Sequence, residues 1–149
     1  MKDALKFFHA YIREIIDVGG ENLPKAISTK SGAKLAKIYK SKGGVMNIES
    51  ALKQIYSALG AKPIIKKLND NTYEIILKYR KKFCPIGGGP NRSRSHVFRE
   101  SVCIPYTRGF LNELFPHSNF ESDILDCIPF DHHRNCHYIL RIREKTNYE

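Results

Sequence analysis

No stretch of this 149-residue chain is apolar for long enough to cross a bilayer, which takes roughly 18 consecutive residues. Nor does the N-terminal stretch, MKDALKFFHAYIREIIDVGG, hold the unbroken apolar core of a secretory leader, because Lys6, His9, Arg13 and Glu14 interrupt it. A cytoplasmic location is therefore the expectation. Thiols stay reduced there, so the four cysteines read as ligands or core residues before they read as disulfides. Internal repeats and low-complexity segments are missing too, and the length suits one domain over 1–149. A folded chain of this size buries roughly 70% of its unfolded surface, so a sizeable core is possible.

Acidic residues are in short supply: 15 Asp and Glu stand against 25 Lys and Arg, a formal net charge of +10. Such a balance favours nucleic acid, anionic lipid or an acidic protein as partner. The charge is spread out, however. Its densest clusters are KLAKIYKSK (34–42), Lys66-Lys67 and KYRKK (78–82), and none alternates with aromatics as a stacking platform for single strands would. A generally basic proteome explains the charge equally well.

Enzyme motifs are also lacking. The GGGP loop is not followed by Gly-Lys-Ser/Thr entering a helix, which a phosphate-cradling P-loop requires, although Arg92 and Arg94 stand ready to meet an anion. A glycine-rich loop of this length is expected to act as a mobile flap over a pocket. The sequence has no dinucleotide fingerprint, no flavin motif and no acid–base pair. The DHH triplet at 131–133 is similar to a phosphoesterase motif, but the further aspartates that hold two metals are missing.

What is present is a change of period along the chain. Leu5, Phe8, Ile12, Ile15 and Ile16 recur at helical spacing over 3–18, ended by Gly19-Gly20. A second helix is expected over about 22–41, broken or kinked at Gly32 and closed by Gly43-Gly44. A third follows over about 48–59, with Asn47 as N-cap and Gly60 as C-cap. KPIIKKL and TYEIILKY, rich in β-branched residues, flank Asn69-Asp70-Asn71 as a hairpin. Residues 84–96 read as a loop. Pro105 opens a helix over 105–115, stopped by Pro116. FESDILDCI and CHYILRIR read as two more strands. Three helices, a hairpin, a loop, a helix and a second hairpin make an α+β domain with an antiparallel sheet of about four strands.

Two cysteines and three histidines fall within eleven residues, from Cys127 to His137. Cys84 follows the second strand, Cys103 precedes the fourth helix, Cys127 ends the third strand and Cys136 starts the fourth. Thiols at element boundaries can converge as a closed, tetrahedral structural zinc site requires. The spacing from Cys127 to Cys136 is wider than a common zinc knuckle, so packed or reduced thiols remain the other reading. His132 and His133 read as exposed turn residues, and His137 as a surface residue or a ligand.

FCPIGG (83–88), SVCIPYTRGFLNELF (101–115) and DCIPFDHHRNCHYILRI (126–142) together resemble the 4-vinyl reductase domain family. That family is similar in fold to haem-NO-binding domains and to certain vesicle-tethering subunits. The resemblance implies an α+β domain, often a homodimer through its N-terminal helices, here with Phe7, Phe8 and Tyr11 on apolar faces. It implies an internal apolar pocket for a hydrophobic small molecule, in a sensor of aromatic hydrocarbons or a reductase of a tetrapyrrole vinyl group. It also implies zinc held by three cysteines and a glutamate, which correspond here to Cys103, Cys127, Cys136 and the position of Ile124. Isoleucine cannot bind a metal, and the turn is one residue longer. Cys84 is the natural replacement, with Glu121, Asp123 and Asp126 as alternatives. An all-cysteine site has no open coordination position and would be structural, pinning the flap to the strand ends. Phe83, Ile86, Phe98, Tyr106 and Phe110 are the candidate pocket residues, and ordinary core packing is the alternative for each. Gly109 would admit close approach by a ligand or a strand.

Overall fold

The computed structural model describes residues 2–43, 47–80, 84, 96–127 and 135–146. In chain order these form α1 (Lys2–Gly19), α2 (Asn22–Ser41), α3 (Ile48–Ala58), β1 (Lys62–Asn69) and β2 (Thr72–Lys78). A π-helical turn (Arg99–Cys103) then leads into α4 (Ile104–Leu114), followed by β3 (Ser118–Asp126) and β4 (Asn135–Glu144). This is the α+β architecture that the change of period predicts.

Local chemistry sets most boundaries. The Asn47 Oδ1 accepts the Ser50 N–H at 2.8 Å and so satisfies one of the orphan donors at the start of α3. Gly60, at φ 80°, closes the same helix in the left-handed conformation, and the Ala61 N–H reaches back to the Tyr56 carbonyl at 3.1 Å. Asn69 Oδ1 accepts the Asn71 N–H at 2.9 Å and tightens the turn between β1 and β2.

The fourth helical segment begins earlier than Pro105 predicts. His96–Phe98 are already helical, and Cys103 lies at the end of the π turn instead of ahead of the helix. The cause is local. Pro105 has no N–H to donate, and in a tight α-turn its ring would meet the carbonyl four residues back. The chain widens by one residue just upstream, with the Ile104 N–H bonding to the Arg99 carbonyl, and the helix carries on.

The four strands are all antiparallel, in the order β1-β2-β4-β3. Alternation sends Ile75 and Leu77 of β2, Tyr138, Leu140 and Ile142 of β4, and Phe120 of β3 toward the helices. There they meet Leu52, Ile55 and Tyr56 of α3, Phe110 and Leu111 of α4, and Ala36 of α2. Each such Leu, Ile or Phe is worth about 1.5–3 kcal/mol of burial. Within this core the Tyr56 hydroxyl hydrogen-bonds to Thr107 Oγ1 at 3.3 Å and to the Tyr138 hydroxyl, so the buried phenols are satisfied.

Gly32 neither breaks nor kinks α2. It lies on a buried stripe of small residues, Pro24, Ser28, Gly32 and Ala36, spaced four apart. A Cβ at Gly32 would stand 2.1 Å from the Tyr106 carbonyl oxygen, and one at Gly109 would stand 2.1 Å from the Thr29 carbonyl oxygen. The close approach at Gly109 is therefore by helix α2, and the two glycines let α2 and α4 cross backbone to backbone.

Candidate functional site

All four cysteines lie at one end of the sheet or beside it. Cys84 makes a single-residue β-bridge after β2, and Cys136 stands opposite Leu77 in the β2–β4 register. Cys127 immediately follows β3, and Cys103 is the last residue of the π turn. All are half-buried thiols, and no disulfide joins them. They lie near enough for some to act on the ionisation of others. Burial pushes the Cys103 thiol far above its ordinary pKa, and the neighbouring Cys84 and Cys127 push it further. Burial likewise raises Cys136, followed by Cys103, Cys127, Cys84 and Asp126. At Cys103 and Cys136 the charged form is disfavoured first by burial and then by the neighbouring thiols, a penalty that a bound cation would relieve.

The thiols are not gathered into a finished cage. Among the described residues no three His, Cys, Asp or Glu side chains stand close enough to hold an ion as they are. The donor set fits zinc in kind, since thiolate sulfur is its preferred structural ligand, and the ring would have to draw in to close around it. Of the acidic alternatives, Glu121 and Asp123 point to the far side of the sheet, where they pair with Arg143 at 3.2 Å and with Arg141. Asp126 is the acid that bears on Cys136. His137 alternates away from the thiols and lies between Glu74, at 3.3 Å, and Asp126, at 3.9 Å. His132 and His133, the GGGP loop, Arg92 and Arg94 lie outside the described residues.

The candidate pocket residues separate into two groups. Phe98 is 2% exposed and packs with Ile12 and Val102 in a small apolar cluster that Ile16, Leu59, Cys84 and Cys103 flank. Phe110 is fully buried in the main core, edge-on to Tyr39 with ring centroids 5.9 Å apart. Tyr106 borders that core, and burial pushes its phenol up to about 12. Phe83 and Ile86 lie outside the described residues. Ile12 and Ile16 of α1 were not among the expected pocket residues, although their helical spacing marks an apolar face. Tyr79 was also missed. It packs against the main core, and burial followed by Cys84, Cys136 and Cys103 raises its phenol far above the ordinary value. Its place at the end of the TYEIILKY strand, five residues before Cys84, was the available signal.

No helix among the described residues is long and apolar enough to cross a membrane. No family model matches the sequence, and no curated protein matches it. Solved structures do match in shape. A trafficking protein particle complex subunit 3 from Naegleria fowleri, covalently bound to palmitic acid, is similar at TM-score 0.66 and 12% identity, over 95% of this chain and 93% of that one. The phenol-responsive sensory domain of the transcription activator PoxR, solved with phenol, is similar at TM-score 0.57 and 17% identity, over 92% of this chain and 73% of that one. At these identities the likeness is one of fold: this chain shares its α+β architecture with a trafficking-complex subunit and with the sensory domain of a transcription activator.

Proposed function

We propose that this chain is a small-molecule-binding domain of the sensor type, stabilised by zinc held between Cys84, Cys103, Cys127 and Cys136. The observation that carries the reading is that Cys84 and Cys103, distant in sequence, both flank the apolar cluster of Ile12, Phe98 and Val102, with Cys127 and Cys136 near enough to act on Cys103 or be acted on by it. The resident metal supplies structural cross-linking and no open coordination position. Cys84 and Cys103 form the sulfur-bearing wall of the apolar cluster. Phe98 and Val102 offer it carbon surface, and Ile12 and Ile16 close it from α1. A hydrophobic or aromatic compound suits such a lining. The palmitate of the trafficking subunit and the phenol of the sensory domain, two apolar ligands on the same fold, support this chemistry. So does the resemblance to 4-vinyl reductase domains, which starts at this cysteine-bearing half. Phe7, Tyr11 and Val18 of α1 and Leu23, Ile27 and Ile38 of α2 are exposed, which supports a homodimer through the N-terminal helices. Reduced thiols suit the cytoplasm.

The test is metal analysis of the purified protein together with mass spectrometry of its organic extract. One zinc per chain and a co-purifying apolar compound are the expected result, with Cys103→Ser losing the metal. Chelator-treated wild type serves as the folded reference. If the protein carries no metal and a competing zinc dye retains all added zinc, the metal half of the reading fails. If no apolar compound is retained and none shifts the melting temperature, the ligand half fails.

A further inference from the structure

The helices α2, α3 and α4 pack on one side of the sheet, and among the described residues nothing covers the other side. The cross-strand register maps that outer face. Ile64 lies beside Ile76, and Ile76 beside His137. Lys66 lies beside Glu74, Glu74 beside Ile139, and Ile139 beside Asp123. The isoleucines form a diagonal across the middle, and Ile64 remains 42% exposed.

The charge on this face is sorted by edge. On edge strand β1 it presents Lys62 and Lys66 and no acid, while on edge strand β3 it presents Glu121 and Asp123 and no base. Lys62 also stands directly opposite Lys78, a like-charge pair that disfavours the ladder unless something anionic covers it. None of these three lysines has an ion-pair partner among the described residues, and the pairs Asp123–Arg141 and Glu121–Arg143 leave carboxylate oxygen available for a second cation.

We propose that the outer face docks a second copy of this chain, sheet against sheet, about a two-fold axis that runs along the strands. A two-fold interface must be self-complementary. An axis along the strands lays β1 of one protomer over β3 of its partner, so Lys66 faces Asp123 at the same level of the register, and Ile76 and Ile139 each approach their own copies across the axis. An axis across the strands lays lysines on lysines. The charge pattern therefore selects one of the two face-to-face arrangements. Four strands about 4.8 Å apart and about eight residues long at 3.3 Å present roughly 500 Å² per copy. That is below the standard interface of about 800 Å² per partner, so the dimer is weak, in the micromolar range, and salt-sensitive. The surface lies on the opposite side of the sheet from the core, so it is separate from association through α1 and α2.

The test is analytical ultracentrifugation at low and high salt, in a Tyr11→Glu background that removes helix-mediated association. A micromolar dimer is expected at low salt and is lost at high salt. Lys66→Glu and Asp123→Lys each weaken it at least tenfold, and the two together restore it toward the parent, because each reversed lysine then faces a reversed aspartate. Circular dichroism checks that every variant is folded, and Lys66→Asp or Asp123→Arg replaces its counterpart if that one is not. A monomeric parent at several hundred micromolar and low salt overturns the proposal. So do single reversals without effect, or a double variant no better than either single one.

Discussion

The crossing of α2 and α4 makes the sharpest prediction about stability. In Gly32→Ala the new Cβ falls 2.1 Å from the Tyr106 carbonyl oxygen and 2.9 Å from the Phe110 backbone nitrogen. Carbon–oxygen contacts close no nearer than about 3.3 Å, so the helices must part by about 1.2 Å. The obstacles are backbone atoms of α4, which cannot rotate away as a flexible side chain would. A gap of that size forfeits up to half of the dispersion between facing atoms, and overpacking of this kind costs about 1–3 kcal/mol. Placing the loss near the upper end and subtracting about 0.8–1.0 kcal/mol for alanine's better helix propensity leaves about 2 kcal/mol. For a chain of this length that lowers Tm by about 4–8 °C. Gly109→Ala meets the Thr29 carbonyl at the same distance, and its cost is similar. Once one methyl has separated the helices, the second has less to displace, so the double variant costs well under the sum. Gly19→Ala, with nothing within 4 Å of its Cβ, is the control and is neutral or slightly stabilising. Urea unfolding followed by far-UV circular dichroism gives all four values. A Gly32→Ala variant at least as stable as wild type, or strict additivity in the double variant, would refute the close-packed crossing.

The Ser101 hydroxyl is fully buried with no hydrogen-bond partner among the described residues, so Ser101→Ala is neutral or stabilises by up to about 1 kcal/mol in the same urea assay; a loss of stability would reveal a partner. Removing the α3 cap with Asn47→Ala costs about 1 kcal/mol, and Asn47→Asp recovers most of it, as thermal melts can show. Burial raises the phenols of Tyr56 and Tyr138 far above their ordinary value near 10. The unfolded chain therefore ionises first as pH rises past 10, and stability falls from there by up to about 1.4 kcal/mol per pH unit for each phenol. An ultraviolet titration of the eight tyrosines should show a late group that ionises together with loss of the far-UV signal. Ionisation of all eight near pH 10 in a still-folded protein would contradict the burial.

Helix and strand identities were legible because one-sided burial writes its period into the sequence. Ile48, Leu52 and Ile55 mark α3, and the alternation of Tyr138, Leu140 and Ile142 marks β4. Two features escaped for a shared reason: each depends on a contact that is distant in sequence. Gly32 is indistinguishable from a helix breaker until α4 is laid against it. Which strands neighbour one another is also absent from periodicity, since β4 fits a hairpin with β3 whether or not it also pairs with β2. The π turn escaped differently, because Pro105 looks like a helix start wherever the widened turn that accommodates it is not seen. At the cysteine end, the boundary positions of the thiols could be read, whereas how closely they approach one another depends on packing that spacing does not record. Phe110 shows the limit of composition, because an aromatic beside a pocket and an aromatic in a core look alike in the sequence.

The strand order bears on how the chain reaches its native state. β4 comes last of the four strands yet lies between β2 and β3. The two hairpins are local, whereas joining Lys78 to Asn135 closes a segment of 57 residues (135 − 78). That closure costs about 3 kcal/mol more in chain entropy than a two-residue turn. Until β4 arrives, β2 and β3 each lack the strand that lies between them, and Leu52 and Ile55 lack the side chains of β4 that share their core. A nascent chain that has released β3 but not β4 therefore passes through its most aggregation-prone interval.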